Sequence, residues 1–115
     1  MYWPNFSSEE REIMLNEYEK DIKRLEKNIK DYSIILENFI SNLNEKRYQL
    51  MILEKKNNKQ MIHKNIYEPR RICLMQEIDS IKSKIGDLNR KIEEDKKEIK
   101  IINEFYKEDS DRILK

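Results

Sequence analysis

The sequence contains very little glycine, proline and cysteine. Its 115 residues include one glycine, two prolines and one cysteine. A single glycine excludes the glycine-rich loops that bind phosphate groups in nucleotide-binding proteins. A single cysteine excludes a disulfide within the chain, which favours a reducing compartment. The sequence therefore predicts a cytoplasmic or nuclear protein.

Long apolar runs and a strong net charge are also absent. No stretch approaches the roughly 20 apolar residues of a membrane-spanning helix. Residues 1–6 lack the basic start and the apolar run of a signal peptide. The net charge is +1, so no overall field attracts the chain to nucleic acid or to a lipid surface. We therefore expect no membrane partner.

The residue patterns of catalytic sites are missing as well. No CxxC or HExxH pair occurs, and the chain has one histidine, His63, and one cysteine, Cys73. Neither has a third residue at a recognisable spacing that would complete a nucleophilic or metal site. Acidic runs such as residues 93–95 are typical of a solvated helix face. We expect no catalytic residues, metal, cofactor or small-molecule substrate, and hence a protein that is not an enzyme.

A heptad pattern of apolar residues dominates the chain. Charged residues make up 41% of the sequence and alternate with Ile and Leu, as in long helices. Over residues 15–53, apolar residues recur at alternating steps of three and four, and only Lys46 interrupts them. A second series covers residues 74–113, with Asp95 and Asp109 as its polar interruptions. Both series predict helices with a coiled-coil seam.

Capping signals indicate where the two helices begin and end. Ser7, followed three residues later by Glu10, has the pattern of a helix N-cap. Asn57 and Asn58 can close the first helix, and Pro69 suits the first turn of a second one. The predicted organisation is one structural unit with an aromatic N-terminal segment (1–7), helix 8–56, a basic turn (57–68) and helix 69–114.

Two architectures fit these helices. One is an antiparallel two-helix coiled-coil hairpin that folds back near residue 62. The other is a single long helix in a parallel coiled-coil dimer, kinked near Pro69. The long helix would bury Asn57, Gln60 and Lys64 in successive layers, at about 1 to 3 kcal/mol per unpaired polar group. The hairpin leaves these residues in solvent, so we favour the hairpin.

The hairpin register predicts specific neighbours across the seam. Folding about residue 62 pairs Leu43 with Ile81 and Phe39 with Ile85. Gly86 then lies beside the Phe39 layer, where a missing side chain would admit the ring. Asp95 falls near Tyr32, whose hydroxyl is in a position to bond its carboxylate.

The helix stripes are wider than two helices need, which predicts a protein partner. Ile34, Ile35 and Ile40 extend the stripe of the first helix beyond its seam. Such apolar surface is usually covered, so we expect a helical partner subunit or a second copy to pack there. The predicted interface combines the seam with these residues: Leu25, Ile29, Ile34, Ile35, Leu36, Phe39, Ile40, Leu43, Ile85, Leu88, Ile92, Ile99 and Ile102.

Two further segments are candidate contact sites. Tyr2, Trp3 and Phe6 form an aromatic hook that either docks into a partner's groove or covers the open end of the hairpin. The turn carries cations interleaved with apolar and aromatic groups, a pattern that also fits RNA phosphates and bases. The candidate anion or nucleic-acid contacts are Lys55, Lys56, Lys59, Lys64, Tyr67, Arg70 and Arg71.

These features predict a non-catalytic structural or adaptor subunit that packs against partner helices in a larger assembly. An alternative is RNA or ribonucleoprotein binding through the basic turn. A third is a chaperone arm, because two long arms joined near mid-chain resemble the outline of prefoldin subunits. The linker, residues 59–67, lacks the glycine-containing β-hairpin that such subunits carry.

Overall fold

The structure, a computed structural model, consists of two long α-helices. It describes residues 7–114, and the side chains of residues 7–108. Helix α1 is Ser8–Asn58 and helix α2 is Lys64–Leu114, with no strand in the described part of the chain. The helices pack against each other, so the chain is an all-α helical hairpin, as predicted. The alternative of one continuous helix is wrong, because the chain reverses between α1 and α2.

Ser7 caps the start of α1. The backbone N–H of Glu10 donates to Ser7 Oγ at 3.2 Å, and the N–H of Arg11 donates to the Ser7 carbonyl at 3.0 Å. The first bond satisfies one of the otherwise unpaired donors of the first turn, and the second is the first regular hydrogen bond of the helix. Glu9 and Glu10 also place negative charge at the positive end of the helix dipole. The N-cap predicted from the sequence is confirmed.

Helix α1 ends at Asn58, two residues beyond the predicted end at Lys56. The N–H of Met61 donates to the Lys56 carbonyl at 2.8 Å, and the N–H of Gln60 donates to the Asn57 carbonyl at 3.0 Å. This is the Schellman arrangement, which requires a left-handed residue. Gln60 supplies it with φ of 57°. Gln60 therefore makes the reversal, and Asn57 and Asn58 continue the helix.

Helix α2 begins at Lys64, five residues before the predicted start at Pro69. The Asn65 N–H donates to His63 Nδ1 at 3.2 Å, and the Tyr67 N–H donates to the His63 carbonyl at 3.0 Å. His63 thus caps the first turn of α2, which lies ahead of Pro69. Pro69 lies inside the helix, where its ring has no N–H for the Asn65 carbonyl. Asn65 is exposed, so water can take that place, and the turn contracts from the predicted 57–68 to 59–63.

Packing between the helices divides into two compact units. One unit spans residues 33–90 and includes the turn. Its core is formed by Leu43, Ile78 and Ile81, with Phe39, Leu50 and Ile85 packed against them. Leu43 lies beside Ile81, as the hairpin register predicted. Burial of these side chains, at roughly 25 cal/mol per Å², is what holds this part of the hairpin together.

The other unit combines residues 7–32 of α1 with the part of α2 from residue 91. Its core contains Leu25, which is 3% exposed, and Ile92, which is also buried. The Tyr106 hydroxyl donates to Glu19 Oε1 at 3.2 Å. Lys91 Nζ lies 5.8 Å from the ring centroid of Tyr32. Apolar packing here is thus supplemented by polar contacts to tyrosines at the seam.

The predicted bond between Tyr32 and Asp95 does not form. Asp95 Oδ2 is shielded from solvent and has no hydrogen-bond partner in the structure. Tyr32 instead contacts Lys91, whose cation is attracted to the face of the ring. Asp95 is half-buried, so a carboxylate oxygen remains unsatisfied at a seam position.

Gly86 is not needed to admit the ring of Phe39. A Cβ built on Gly86 meets no heavy atom within 4 Å, and Lys84 Nζ lies 5.7 Å from the Phe39 ring centroid. The glycine therefore lowers helix propensity without a packing benefit. The expected proximity to Phe39 fails because residue 86 is exposed on α2 and lies off the seam.

We predict that Gly86→Ala raises the free energy of unfolding by about 1 kcal/mol, the difference in helix propensity between the two residues. Urea unfolding followed by circular dichroism measures the change. Asn89→Ala, also exposed on α2, is the control and is expected to gain less, roughly 0.5 kcal/mol. Destabilisation by Gly86→Ala would show that the space beside residue 86 is occupied after all.

Candidate protein-interaction surfaces

Most of the predicted interface residues lie in the seam between α1 and α2. Leu25, Leu43, Leu88 and Ile92 are buried there. The half-buried members are Ile29, Leu36, Phe39, Ile85, Ile99 and Ile102. These side chains are occupied by the hairpin's own packing, so a partner would meet the residues beside the seam.

The three isoleucines that the sequence analysis placed beyond the seam of α1 are exposed. The exposed fractions of Ile34, Ile35 and Ile40 are 51%, 43% and 42%. We call them the isoleucine group. At about 100° per residue, Ile35 and Ile40 lie on opposite flanks of the seam, and Ile34 lies farther round the helix. Ile35 and Ile40 therefore widen the apolar stripe of α1 on both sides of the seam.

The structure adds exposed apolar residues that the sequence analysis missed. Tyr48, Ile72 and Met75 are 58%, 49% and 41% exposed. Ile72 and Met75 are three residues apart, so they share a face of α2. A count of large apolar residues at heptad positions off the seam would have found them. They increase the uncovered apolar surface within residues 33–90.

The predicted cations lie in the turn and in the adjoining ends of α1 and α2. Lys55, Lys56, Lys59, Lys64 and Arg70 are exposed, and Tyr67 and Arg71 are half-buried. Arg71 Nε lies 3.9 Å from Glu68 Oε2, so its charge is partly balanced within α2. Of these residues, Lys56 and Arg70 line a common cavity.

That cavity, which we call the tip groove, has a volume of about 320 Å³. Its lining residues are Gln49, Ile52, Leu53, Lys56, Ile62, Ile66 and Arg70. A smaller cavity of about 170 Å³ is lined by Lys46, Gln49, Arg70, Cys73, Leu74 and Glu77. Gln49 and Arg70 line both. The sequence pointed to Lys56, Arg70 and the turn isoleucines but not to Gln49 or Leu53, which precede the turn by several residues.

Lys46, which interrupts the first apolar series, forms an ion pair across the hairpin. Its Nζ lies 3.0 Å from Glu77 Oε2. The thiol of Cys73 contacts the other oxygen, Oε1, at 3.6 Å. The hydrogen bond from Lys46 is the main cause of a lowered pKa of Glu77, and partial desolvation opposes it. Lys46 thus reaches past the seam to a partner on α2.

We predict that this ion pair contributes to stability at neutral pH and loses its contribution in acid. Because the pKa of Glu77 is lower in the folded chain than its ordinary 4.5, the contribution is complete above 4.5 and disappears as pH falls through the folded-state pKa. Urea unfolding across this range, compared with Glu77→Gln, measures it. The difference between the two chains should shrink in acid, and a difference that does not vary with pH would contradict the assignment.

Other predicted features are placed as follows. Tyr2, Trp3 and Phe6 of the aromatic hook lie outside the described residues. Within the described part of the chain, no three His, Cys, Asp or Glu side chains are grouped to hold a metal ion. Neither described helix contains a segment that is long and apolar enough to cross a membrane.

The fold defines the class of this protein as an all-α helical hairpin. In comparisons with known proteins, no family model, no curated protein and no solved structure matches the chain. Residues 59–63 form a short turn without a strand, so the β-hairpin of prefoldin subunits has no counterpart there.

Proposed function

We propose that this protein is a non-catalytic adaptor subunit, acting in the cytoplasm or nucleus, that packs against helices of partner subunits in a larger assembly. The observation that carries the proposal is the exposure of Ile35 and Ile40 on the two flanks of a seam that is already closed. Large apolar side chains at such positions indicate surfaces that other helices cover.

The position of the group suggests what the partner looks like. Ile35 and Ile40 flank the seam on opposite sides, so a single added helix would cover only one of them. We infer that the hairpin contributes two helices to a bundle in which neighbours lie on both flanks. The ion pair of Lys46 with Glu77 fits this role, since a polar pair at a seam fixes the register of the helices.

The experiment compares self-association of the purified chain with two double variants. Ile35→Lys/Ile40→Lys places charge on both flanks, and Asn38→Lys/Ser41→Lys adds the same charge at exposed polar positions. Sedimentation velocity gives the mass, and circular dichroism gives the helix content.

We expect the chain alone to be oligomeric or incompletely folded, because its apolar flanks lack their partner. The isoleucine double variant should lose the association that persists in about 1 M salt, where charge contacts are screened, and the control variant should keep it. A monodisperse, fully helical wild-type monomer that melts cooperatively would contradict the proposal.

A second candidate function, RNA binding through the turn, is supported by the five exposed cations. It predicts salt-sensitive binding that is lost when those residues are neutralised.

A further inference from the structure

The tip groove has the chemistry of a site for an acidic, apolar segment. Ile52, Leu53, Ile62 and Ile66 provide apolar walls, and Lys56 and Arg70 add positive charge. Both cations are exposed, and Arg70 also acts on Glu77, with which it lines the neighbouring smaller cavity. A fitting occupant therefore carries an apolar side chain between carboxylates.

The chain itself contains such a segment at the start of α1. Ile13 is 61% exposed, although it is a large apolar residue on a helix. Glu9 stands four residues before it and Glu17 four residues after it, and both are exposed. Glu17 Oε1 also lies 3.5 Å from Lys20 Nζ, an exposed pair within α1 that another cation can replace. Residues four apart on a helix are neighbours on one face. This face, which we call the acidic face, presents one isoleucine between two carboxylates.

We propose that the tip groove of one copy binds the acidic face of a second copy. Ile13 of the second copy occupies the groove beside Ile62 and Ile66, and Glu9 and Glu17 pair with Lys56 and Arg70. The guanidinium of Arg70 offers a planar pair of donors that matches a carboxylate. The groove is at the small end of ligand cavities, about 300 to 1,000 Å³, so it admits side chains of a helix lying across it.

The lining of the groove favours a protein occupant over single-stranded RNA. RNA bases bind such grooves mainly by stacking on aromatic rings. The tip groove is lined by aliphatic, amide and cationic residues, and Tyr67 is not among them. The contact is also independent of the isoleucine group, so it goes beyond the proposed adaptor function.

A charge exchange between full-length chains tests the proposal. The groove variant is Lys56→Glu/Arg70→Glu, and the face variant is Glu9→Lys/Glu17→Lys. Lys59→Glu/Lys64→Glu makes the same charge change near the turn at residues that do not line the groove. Glu12→Lys/Glu26→Lys makes the charge change of the face variant at exposed positions of α1 that do not share the face of Ile13. Sedimentation velocity at up to about 100 μM populates micromolar contacts, and circular dichroism verifies that each variant is helical.

We expect each of the two variants alone to lose the groove contact, and their equimolar mixture to restore it, because the exchanged charges are again complementary. The two controls should associate like the wild type. Association should weaken between about 0.1 M and 1 M salt, where the Debye length falls from ~10 Å to ~3 Å. The isoleucine double variant should keep this salt-sensitive contact, which separates it from the adaptor interface.

Three results would overturn the proposal: groove and face variants that associate like the wild type, a mixture that fails to restore association although both variants are helical, or no salt-sensitive association of the wild type. A labelled single-stranded RNA that binds the wild type but not the groove variant, without self-association, would assign Lys56 and Arg70 to nucleic acid instead.

Discussion

Leu43→Ala should lower the free energy of unfolding by about 2 to 3 kcal/mol, within the range of roughly 2 to 5 kcal/mol for large-to-small changes in cores. Leu43 is buried and packs with Ile78 and Ile81 at the centre of its unit. A two-helix seam has few layers of packing, so removal of three carbons exposes this cluster to water. The helices can partly close the space, which keeps the loss in the lower part of the range.

Urea unfolding followed by circular dichroism, at one fixed concentration of each chain, measures this loss. Ile40→Ala is the matched control, because Ile40 lies three residues away and is exposed. It should change the stability by no more than about 0.5 kcal/mol, as is usual for surface positions. If both substitutions lower the free energy of unfolding equally, Ile40 belongs to the core as Leu43 does. The seam of α1 would then be wrongly placed.

Asp95→Leu should have the opposite effect and raise the free energy of unfolding by about 1 to 3 kcal/mol, the usual penalty of an unsatisfied buried polar group. Asp95 Oδ2 is shielded from water and unpaired, and it stands where the heptad requires an apolar residue. Replacement by leucine removes the unsatisfied oxygen and continues the apolar series. The gain is expected even though a charged residue is removed from a highly charged chain.

Thermal and urea unfolding of Asp95→Leu measure the gain, and Asp79→Leu provides the control. Asp79 is exposed on the same helix, and both substitutions have the same effect on helix propensity. Their difference therefore isolates the effect of the seam position. If Asp95→Leu is no more stable than Asp79→Leu, the Asp95 carboxylate is solvated or paired.

Lys46 and Asp95 together suggest why a stabler seam is not present. Polar residues at seam positions commonly cost stability but restrict the register and number of helices that associate. Lys46 forms an ion pair with Glu77, whereas Asp95 Oδ2 has no hydrogen-bond partner. We expect the Asp95→Leu chain to form additional oligomeric species, which size-exclusion chromatography with light scattering would detect.

The sequence predicted the helical hairpin because its evidence is local and repeated. Apolar residues at steps of three and four identify the buried face of each helix without knowledge of the other, and the failure of the series around Gln60 and Lys64 located the reversal. Ser7 was identified as the N-cap for the same reason, since its bonds reach only three and four residues along the chain. The cations around the turn could also be predicted, because they lie close together in sequence, between residues 55 and 71.

Only the tertiary structure decided the details that depend on two helices at once. The turn is closed by backbone bonds around Gln60 and not by asparagine side chains, because the chain reverses where α1 and α2 can still pack. Asp95 remains without the hydroxyl of Tyr32, and Gly86 faces open space, because small rotations about a helix axis decide which side chains meet. The tip groove likewise combines Gln49 and Lys56 of α1 with Ile66 and Arg70 of α2, a grouping that depends on how the two helices are placed around the turn. Heptad periodicity determines which side of each helix is buried, whereas the relative placement of the helices determines which polar groups find a partner.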